Sequence, residues 1–216
     1  MDTGLCMKER VVVLGAGLFA EEIADLLSQT GEHELVGFVE GVDRTVCDRP
    51  LLGRPVHWIE DIASLAGSCK ALCAVGSPKR KTFIEQATAQ GVEFCTVIHP
   101  SAQISPTAVL DEGCVVCPSV VIASHTRIGR HTILNRGCLI GHHADIGEYV
   151  TLSPGANVAG KTRIGPCAYI GMGAIVLDGV SIGSHSLVGA GAVVTRDVPD
   201  GVRVLGIPAK VVGPHE

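Results

Sequence analysis

Aliphatic residues recur at every sixth position through the second half of the chain. Steps of six from Ile98 to Val194 meet 17 positions, and each of them holds Leu, Ile or Val. Seven of these residues are followed directly by glycine, at positions 129, 141, 147, 165, 171, 183 and 189. This unbroken period predicts a parallel β-helix, in which each hexad forms one face of a triangular prism and points one aliphatic side chain inward.

The same register predicts which residues lie above one another. Three hexads complete one coil, so the prism has about six coils, with a spacing of about 4.8 Å between neighbouring coils. Residues separated by three hexads should therefore be vertical neighbours. The predicted columns are Arg127–Asp145–Arg163, which alternates in charge, His125–His143, and His142–Gly160.

A pattern of alternating strands and helices precedes the repeat. The aliphatic run at residues 11–14 predicts a buried strand, and the apolar spacing after it predicts a helix that ends at Gly31. Further strands are expected at 34–40, 70–76 and 93–98, and a second helix within 77–91. The alternation predicts a small Rossmann-like parallel sheet in residues 1–97, before a β-helix domain in residues 98–216.

The glycine turn after the first strand is a candidate phosphate-binding site. Backbone N–H groups at a helix N-terminus attract anions, and Gly15, Ala16 and Gly17 leave room for one. Three interpretations stay open, namely a nucleotide-type ligand, NAD, or a tight turn that binds nothing. Glu40, at the end of the second strand, is a candidate hydrogen-bond acceptor for a ribose or base, or else a solvated strand end.

Composition separates the same two regions. Aromatic residues make up only 3% of the chain, most of them before residue 95, and 27 residues are glycine. A narrow prism has no room for rings and needs small residues at its corners, whereas a sheet-and-helix core accepts rings. The net charge of -5 provides no basic surface for nucleic acid.

We expect neither membrane insertion nor export from the sequence pattern. No apolar run reaches the roughly 18 residues of a membrane span, and the first ten residues lack the apolar stretch of a secretory signal. Nine cysteines then indicate free thiols in a reducing cytoplasm. The single C-x-x-C, Cys114 to Cys117, lacks a second ligand pair, so we expect no metal there and packing as small hydrophobic groups.

Several motifs identify the family that the chain resembles. They are IHPSAQISPTAVLDEG, ILN followed by IGHHADIG, SPGANVAGKTRIG, GMGAIVLDGVSIG, GAGAVVTRDVP and GIPAKVV. Together with the short nucleotide-fold region, they resemble the NeuD/PglD-type acetyltransferases, which act on sialic acid or on nucleotide-linked amino sugars. The resemblance implies a left-handed β-helix and a homotrimer that binds acetyl-CoA between two subunits.

The resemblance also implies roles for individual residues. His142 matches the general base, and Gly160 matches the glycine whose N–H stabilises the oxyanion. The residues that match acetyl-CoA contacts are Thr151, Met172 and Ala190, with Gly160, Gly173 and Gly191 allowing close approach and Lys210 near the adenine end. The residues that match the sugar-nucleotide site are Gly15, Ala16, Gly17, Glu40, Gly76 and Asn135.

The chain departs from the family pattern at three places. His143 stands where the family has a Glu or Asp that orients the base, and a neutral hydrogen-bonded pair of histidines is one way to replace it. Thr151 replaces a histidine that contacts the acetyl group. Leu18 and Phe19 follow Gly17 where the family's nucleotide loop has Gly and His.

The expected function is acetyl-CoA-dependent acetylation of an amino sugar. The most specific form is transfer to the 4-amino group of a nucleotide-linked sugar in bacterial surface-glycan synthesis. The alternatives are a sialic acid O-acetyltransferase, a transferase for a small amino acid, a carbonic anhydrase-like zinc protein that uses His125 and His143, and a non-catalytic scaffold. His125, His131 and His185 are expected to be solvated side chains on prism faces.

Overall fold

The structure, a computed structural model, describes residues 8–215. The chain divides into two compact units. The first contains the residues up to Val75 together with Lys81–Cys95, and the second contains Gly76–Arg80 and the residues from Thr96 onward. The boundary between Cys95 and Thr96 lies two residues before the predicted one, and the short segment Gly76–Arg80 clusters with the second unit.

The first unit contains a parallel sheet of four strands with helices between them. The strands lie in the order β3-β2-β1-β4. Their bounds are β1 Glu9–Leu14, β2 His33–Glu40, β3 Val56–Trp58 and β4 Lys70–Cys73. The α-helices are α1 Leu18–Thr30 and α2 Arg80–Ala89, and 3-10 helices span Arg44–Asp48 and Ile59–Leu65.

The sequence pattern explains most of these elements. Residues 11–14 of β1 are fully buried, and α1 turns Ile23 and Leu27 inward. Gly31 ends α1 with a φ of 73°, a left-handed conformation that glycine adopts without strain. The predicted Rossmann-like parallel sheet is confirmed.

Two details of this sheet differ from prediction. The strand expected at 93–98 is absent, since Phe94 forms only an isolated bridge with Ala71 and the next strand belongs to the second unit. The short strand β3 was not predicted, because Val56–Trp58 is too short to show an apolar alternation.

The second unit is a left-handed parallel β-helix with three faces. The first face contains β5 Val97–Ile98, β8 Val115–Val116, β11 Ile133–Leu134, β14 Thr151–Leu152, β17 Tyr169–Ile170 and β20 Leu187–Val188. The second contains β6 Gln103–Ile104, β9 Val121–Ile122, β12 Leu139–Ile140, β15 Asn157–Val158, β18 Ile175–Val176 and β21 Val193–Val194. The third contains β7 Val109–Leu110, β10 Arg127–Ile128, β13 Asp145–Ile146, β16 Arg163–Ile164 and β19 Ser181–Ile182.

The six-residue register agrees with the structure strand by strand. The second residue of every two-residue strand is one of the predicted aliphatic positions, and from Val116 to Val194 each is at most 2% exposed. Ile98 is 41% exposed because it lies in the first coil of the stack. The predicted column is also present, since Asp145 pairs with Arg127 on one side and Arg163 on the other.

Close approach of successive coils explains the glycines that follow the aliphatic positions. A Cβ added to Gly147 would lie 2.7 Å from the backbone nitrogen of Pro166 in the next coil, and one added to Gly141 would meet the nitrogen of Gly160. A side chain at either position would push the coils apart.

The C-terminal segment extends the first face. Strand β22, Val202–Leu205, pairs parallel with β20, and β23, Lys210–Pro214, returns antiparallel to β22. No helix in residues 8–215 is long and apolar enough to cross a membrane.

The eight cysteines that the structure describes are all free thiols. Cys114, Cys117 and Cys138 of the β-helix unit are buried, and burial raises the pKa of each thiol to about 12. They therefore pack as small, protonated, apolar side chains.

Candidate active site

The corner between the second and third faces brings two histidines together. His142 and His143 form the turn between β12 and β13, and their Nδ1 atoms lie 3.1 Å apart. The rings are nearly perpendicular, at 86°. A hydrogen bond between two Nδ1 atoms requires one to carry a proton and the other to accept it. When His142 is the donor, its Nε2 is left unprotonated and can act as a base.

Gly160 lies one coil above His142, as the column arithmetic predicts. A Cβ added to Gly160 would lie 2.9 Å from both Cε1 and Nε2 of the His142 ring. Only glycine leaves room for the imidazole in its present position. The bare backbone of Gly160 therefore lies directly above the His142 ring.

The Gly160 N–H is a hydrogen-bond donor with no acceptor among residues 8–215. The corresponding position of other corners holds Pro118, Pro154 and Pro166, which shows that the coil geometry does not require this N–H. Gly160 is nevertheless buried, and a buried donor without an acceptor costs free energy. A ligand oxygen at this corner would supply the acceptor.

Asp178 completes the column one coil above Gly160. A Cβ built on Gly160, which would contact the His142 ring, would also lie 3.0 Å from Asp178 Oδ1. The two side chains thus approach each other across the space that the glycine leaves. Our sequence analysis did not identify Asp178, although one further step of the His142–Gly160 column reaches it.

The other histidines have different surroundings. His125 lies beneath His143, with the ring centroids 4.9 Å apart, as the register predicts. The prediction that His131 is solvated is wrong, since it is 5% exposed and stacks on Tyr149 at 5.2 Å. Burial, with a contribution from the nearby charge of Arg130, lowers the pKa of His131 to about 4.

Four of the predicted acetyl-CoA residues lie on another corner. Met172 and Gly173, with Ala190 and Gly191 one coil above them, follow strands of the first face, and Met172 is 60% exposed. The second face separates this corner from His142 within one chain. Lys210 is exposed in β23.

Thr151 is buried between a guanidinium and a backbone carbonyl. It is 3% exposed, accepts a hydrogen bond of 2.7 Å from Arg80 and donates one of 2.9 Å to the carbonyl of Gly76. The only proton of the Thr151 hydroxyl is therefore directed to the Gly76 carbonyl. Gly76 correspondingly belongs to the β-helix unit through its carbonyl.

Arg80 anchors this arrangement, and our sequence analysis missed it. Its guanidinium is 1% exposed and also donates to the carbonyls of His131, at 3.0 and 2.9 Å, and of Val150, at 2.7 Å. In the sequence, Arg80 lies in a basic run that is typical of a solvated helix start, so no local signal distinguishes it.

The predicted sugar-nucleotide residues of the first unit surround the start of α1 and the end of β2. Gly15 has a φ of 109°, and Gly17 is the N-cap of α1. The Glu40 carboxylate folds back on its own chain, where Oε1 accepts from the N–H groups of Gly41 and Val42 at 2.9 and 2.7 Å. This leaves Oε2 for a ligand.

Asn135 lies at the corner that follows β11. Its side-chain oxygen accepts a hydrogen bond of 2.8 Å from the backbone N–H of Arg136. The side chain therefore stabilises its own turn.

Among the described residues, one group of side chains has the spacing of metal ligands, and it lies in the first unit. Glu9, His33 and Cys95 offer ligand atoms within 4.8 Å of one another. Lys70 already provides a cation there, since its Nζ lies 2.7 Å from Glu9. Burial raises the pKa of the Cys95 thiol to about 12, which favours its protonated form.

Comparisons with known proteins cover both units. The model of the PglD N-terminal domain matches residues 10–87, and the bacterial transferase hexapeptide model (six repeats) matches residues 161–196. No curated protein sequence matches the chain.

Solved structures match nearly the whole chain. A perosamine N-acetyltransferase from Caulobacter crescentus, a histidine-to-asparagine variant in complex with CoA and GDP-perosamine, is 34% identical with a TM-score of 0.86, over 94% of this chain and 96% of that one. The acetyltransferase domain of PglB from Neisseria gonorrhoeae is 32% identical with a TM-score of 0.86, over 95% and 100%. WeeI from Acinetobacter baumannii is 29% identical with a TM-score of 0.85, over the same shares.

The two units, their order and the identity over nearly the full length all agree. The N-terminal domain model and the hexapeptide model match in the order that the motifs predict. The similar sugar acetyltransferases include one solved with acetyl coenzyme A. The chain therefore belongs to the NeuD/PglD-type sugar acetyltransferases, acyltransferases that use acetyl-CoA as co-substrate.

Proposed function

We propose that the protein transfers the acetyl group of acetyl-CoA to the 4-amino group of a nucleotide-linked sugar in bacterial surface-glycan synthesis. The observation that carries this proposal is the column in which the unsubstituted Gly160 meets Nε2 of His142. The Caulobacter crescentus relative, whose complex contains CoA and GDP-perosamine, supports the substrate class.

The proposed reaction is direct transfer. The acceptor nitrogen attacks the thioester carbonyl, and His142 Nε2 takes the proton that the nitrogen loses. The carbonyl oxygen becomes an oxyanion, for which the Gly160 N–H is the donor. Collapse of the tetrahedral intermediate breaks the C–S bond, and the protonated His142 returns its proton to the departing CoA sulfur.

His143 is the proposed positioning residue for His142. The 3.1 Å Nδ1–Nδ1 contact lets a neutral His143 accept the Nδ1 proton of His142. This fixes the tautomer of the base, as a carboxylate does in related sites. The His125 ring packs against His143 from the coil below, with the ring centroids 4.9 Å apart, and so helps to fix the orientation of His143.

The nucleotide is proposed to bind at the start of α1. The 13-residue helix directs its first backbone N–H groups toward Gly15, Ala16 and Gly17, where a phosphate would find both donors and a favourable helix dipole. Glu40 Oε2 is the proposed acceptor for a ribose or base.

A thiol-release assay tests the proposed function. Purified protein and acetyl-CoA are mixed with UDP-, GDP- and dTDP-linked 4-amino sugars or with free sialic acid. We expect CoA release with at least one amino sugar, together with an acetamide product by mass spectrometry. Turnover of sialic acid alone would contradict the proposal and favour an O-acetyltransferase. Stoichiometric zinc without transfer would favour the metal-binding alternative.

We also propose a homotrimer, with active sites between subunits. The outward residues of the second face are largely apolar, with Leu139 43% and Ile175 39% exposed. The outward residues of the third face are charged, since Arg127, Asp145 and Arg163 form its central column. The apolar second face, which separates the His142 corner from the Met172 corner, is thus the proposed subunit contact.

Free cysteines and acetyl-CoA chemistry support a cytoplasmic location.

Replacing Leu139 by glutamate should disrupt the trimer. A carboxylate in an apolar contact lacks a partner and is costly to bury. Light scattering should show about one third of the wild-type mass, and acetyl transfer should fall with it. Val109→Glu is the matched control, because Val109 occupies the same outward strand position on the third face and is 49% exposed. Equal effects of the two substitutions would contradict the assignment.

A further inference from the structure

We propose that Asp178 recognises the acceptor and makes the site selective for an amine over a hydroxyl. The inference rests on the proposed function and concerns the same corner. Asp178 Oδ1 and His142 Nε2 lie 3.0 and 2.9 Å from one point, the position of the absent Gly160 Cβ. A reacting atom bound beside Gly160 would therefore have a neutral base on one side and a carboxylate on the other.

The carboxylate of Asp178 has no structural partner within residues 8–215. No hydrogen bond or ion pair to it is present, and the side chain is exposed. Nearby acidic residues on later turns are different. Asp197 and Asp200 each accept a backbone N–H, from Ser181 at 2.8 Å and from Ser184 at 2.7 Å. Those two carboxylates stabilise turns, whereas that of Asp178 is free to receive a ligand.

A count of donors shows why this geometry favours an amine. A neutral amine carries two N–H groups, so one can point to His142 and the second to Asp178. A hydroxyl has one O–H, which can serve only one of the two acceptors. The remaining acceptor would then receive no hydrogen bond from the substrate, so a hydroxyl forms one contact fewer than an amine.

The charge of Asp178 acts in the same direction. Amines reach the site partly as ammonium ions, and a carboxylate attracts a cation but gives no such advantage to a neutral hydroxyl. After attack, the nitrogen is positively charged until His142 removes a proton, and Asp178 stabilises that charge. Asp178 thus contacts the acceptor, while His142 carries out the proton transfer.

The test compares Asp178→Asn with the wild type, using GDP-perosamine and the analogue that has a hydroxyl in place of its amino group. The amide keeps the shape of the side chain but removes the charge and one acceptor oxygen. We expect kcat/KM for GDP-perosamine to fall by about 10–100-fold. The Ki of the hydroxyl analogue as a competitive inhibitor should stay within about twofold of wild type or decrease.

Asp111→Asn is the matched control, since Asp111 is an exposed carboxylate at the start of another turn. It should leave both constants and the melting temperature unchanged. An Asp178→Asn enzyme with a kcat/KM close to wild type, in a protein where His142→Asn abolishes turnover, would overturn this inference alone. Equal losses for both sugars would also overturn it, because they indicate distortion rather than selectivity. A wild type that acetylates only hydroxyls would overturn the proposed function and this inference together.

Discussion

Replacing His142 by asparagine is expected to lower kcat for acetyl transfer by about 10²–10⁴-fold. An amide cannot take the proton that the acceptor nitrogen loses, so attack must proceed through a high-energy ammonium intermediate. The substitution should leave KM for acetyl-CoA nearly unchanged, because the predicted coenzyme residues lie on the corner that carries Met172. The measurement is steady-state CoA release at saturating substrates.

His185→Asn is the control for this substitution. His185 is exposed at another corner of the β-helix, outside the column of His142. It should retain wild-type kcat, trimer mass and melting temperature. A His142→Asn enzyme that turns over at the wild-type rate would remove His142 from the role of base and leave proton transfer to water or to the acceptor itself.

The β-helix could be predicted in detail because its constraint is local and repeated. Each coil must place one aliphatic side chain in a narrow interior, so a phase error anywhere would break the register from Ile98 to Val194. The same six-residue register predicted that Gly160 lies directly above His142. The structure agrees, because a Cβ built on Gly160 would lie 2.9 Å from the His142 ring. Asp178 lies one further coil along the same column, 18 residues after Gly160, and could have been predicted in the same way.

The features that sequence reasoning missed depend on non-local packing. Arg80 looks like a solvated helix residue until its three carbonyl and hydroxyl acceptors are seen. The same contacts bury Thr151 and surround His131, whose period-six positions alone do not reveal what covers them. The segment 93–98 has strand propensity throughout, but only Phe94 bridges the edge strand of the first unit, and Val97–Ile98 pairs within the second unit. Strand propensity alone does not determine whether such a segment forms a strand, because it also needs a neighbouring strand with which to pair.

Replacing Gly160 by alanine is expected to lower kcat/KM by about 10²–10³-fold while the protein stays folded. The added methyl would lie 2.9 Å from the His142 ring and 3.0 Å from the Asp178 carboxylate, so both side chains must turn away. The backbone N–H is retained, and the chain at Gly160 does not adopt the left-handed φ of the glycines at 155 and 173. The loss therefore reports the position of the base rather than the loss of a donor or of the turn.

A double-mutant cycle separates this effect from general damage. If alanine acts by displacing side chains, its effect should be much smaller in the His142→Asn background, where the base is already gone and only the displacement of Asp178 remains. If instead the methyl blocks the acceptor or the acetyl group directly, the two losses should multiply. Melting temperatures of the four proteins should agree closely, because His142 and Asp178 are exposed and can move into solvent. If the two losses multiply, the proposal that position 160 is glycine chiefly to make room for the imidazole is wrong. The result would indicate that the substrate itself contacts the Gly160 backbone.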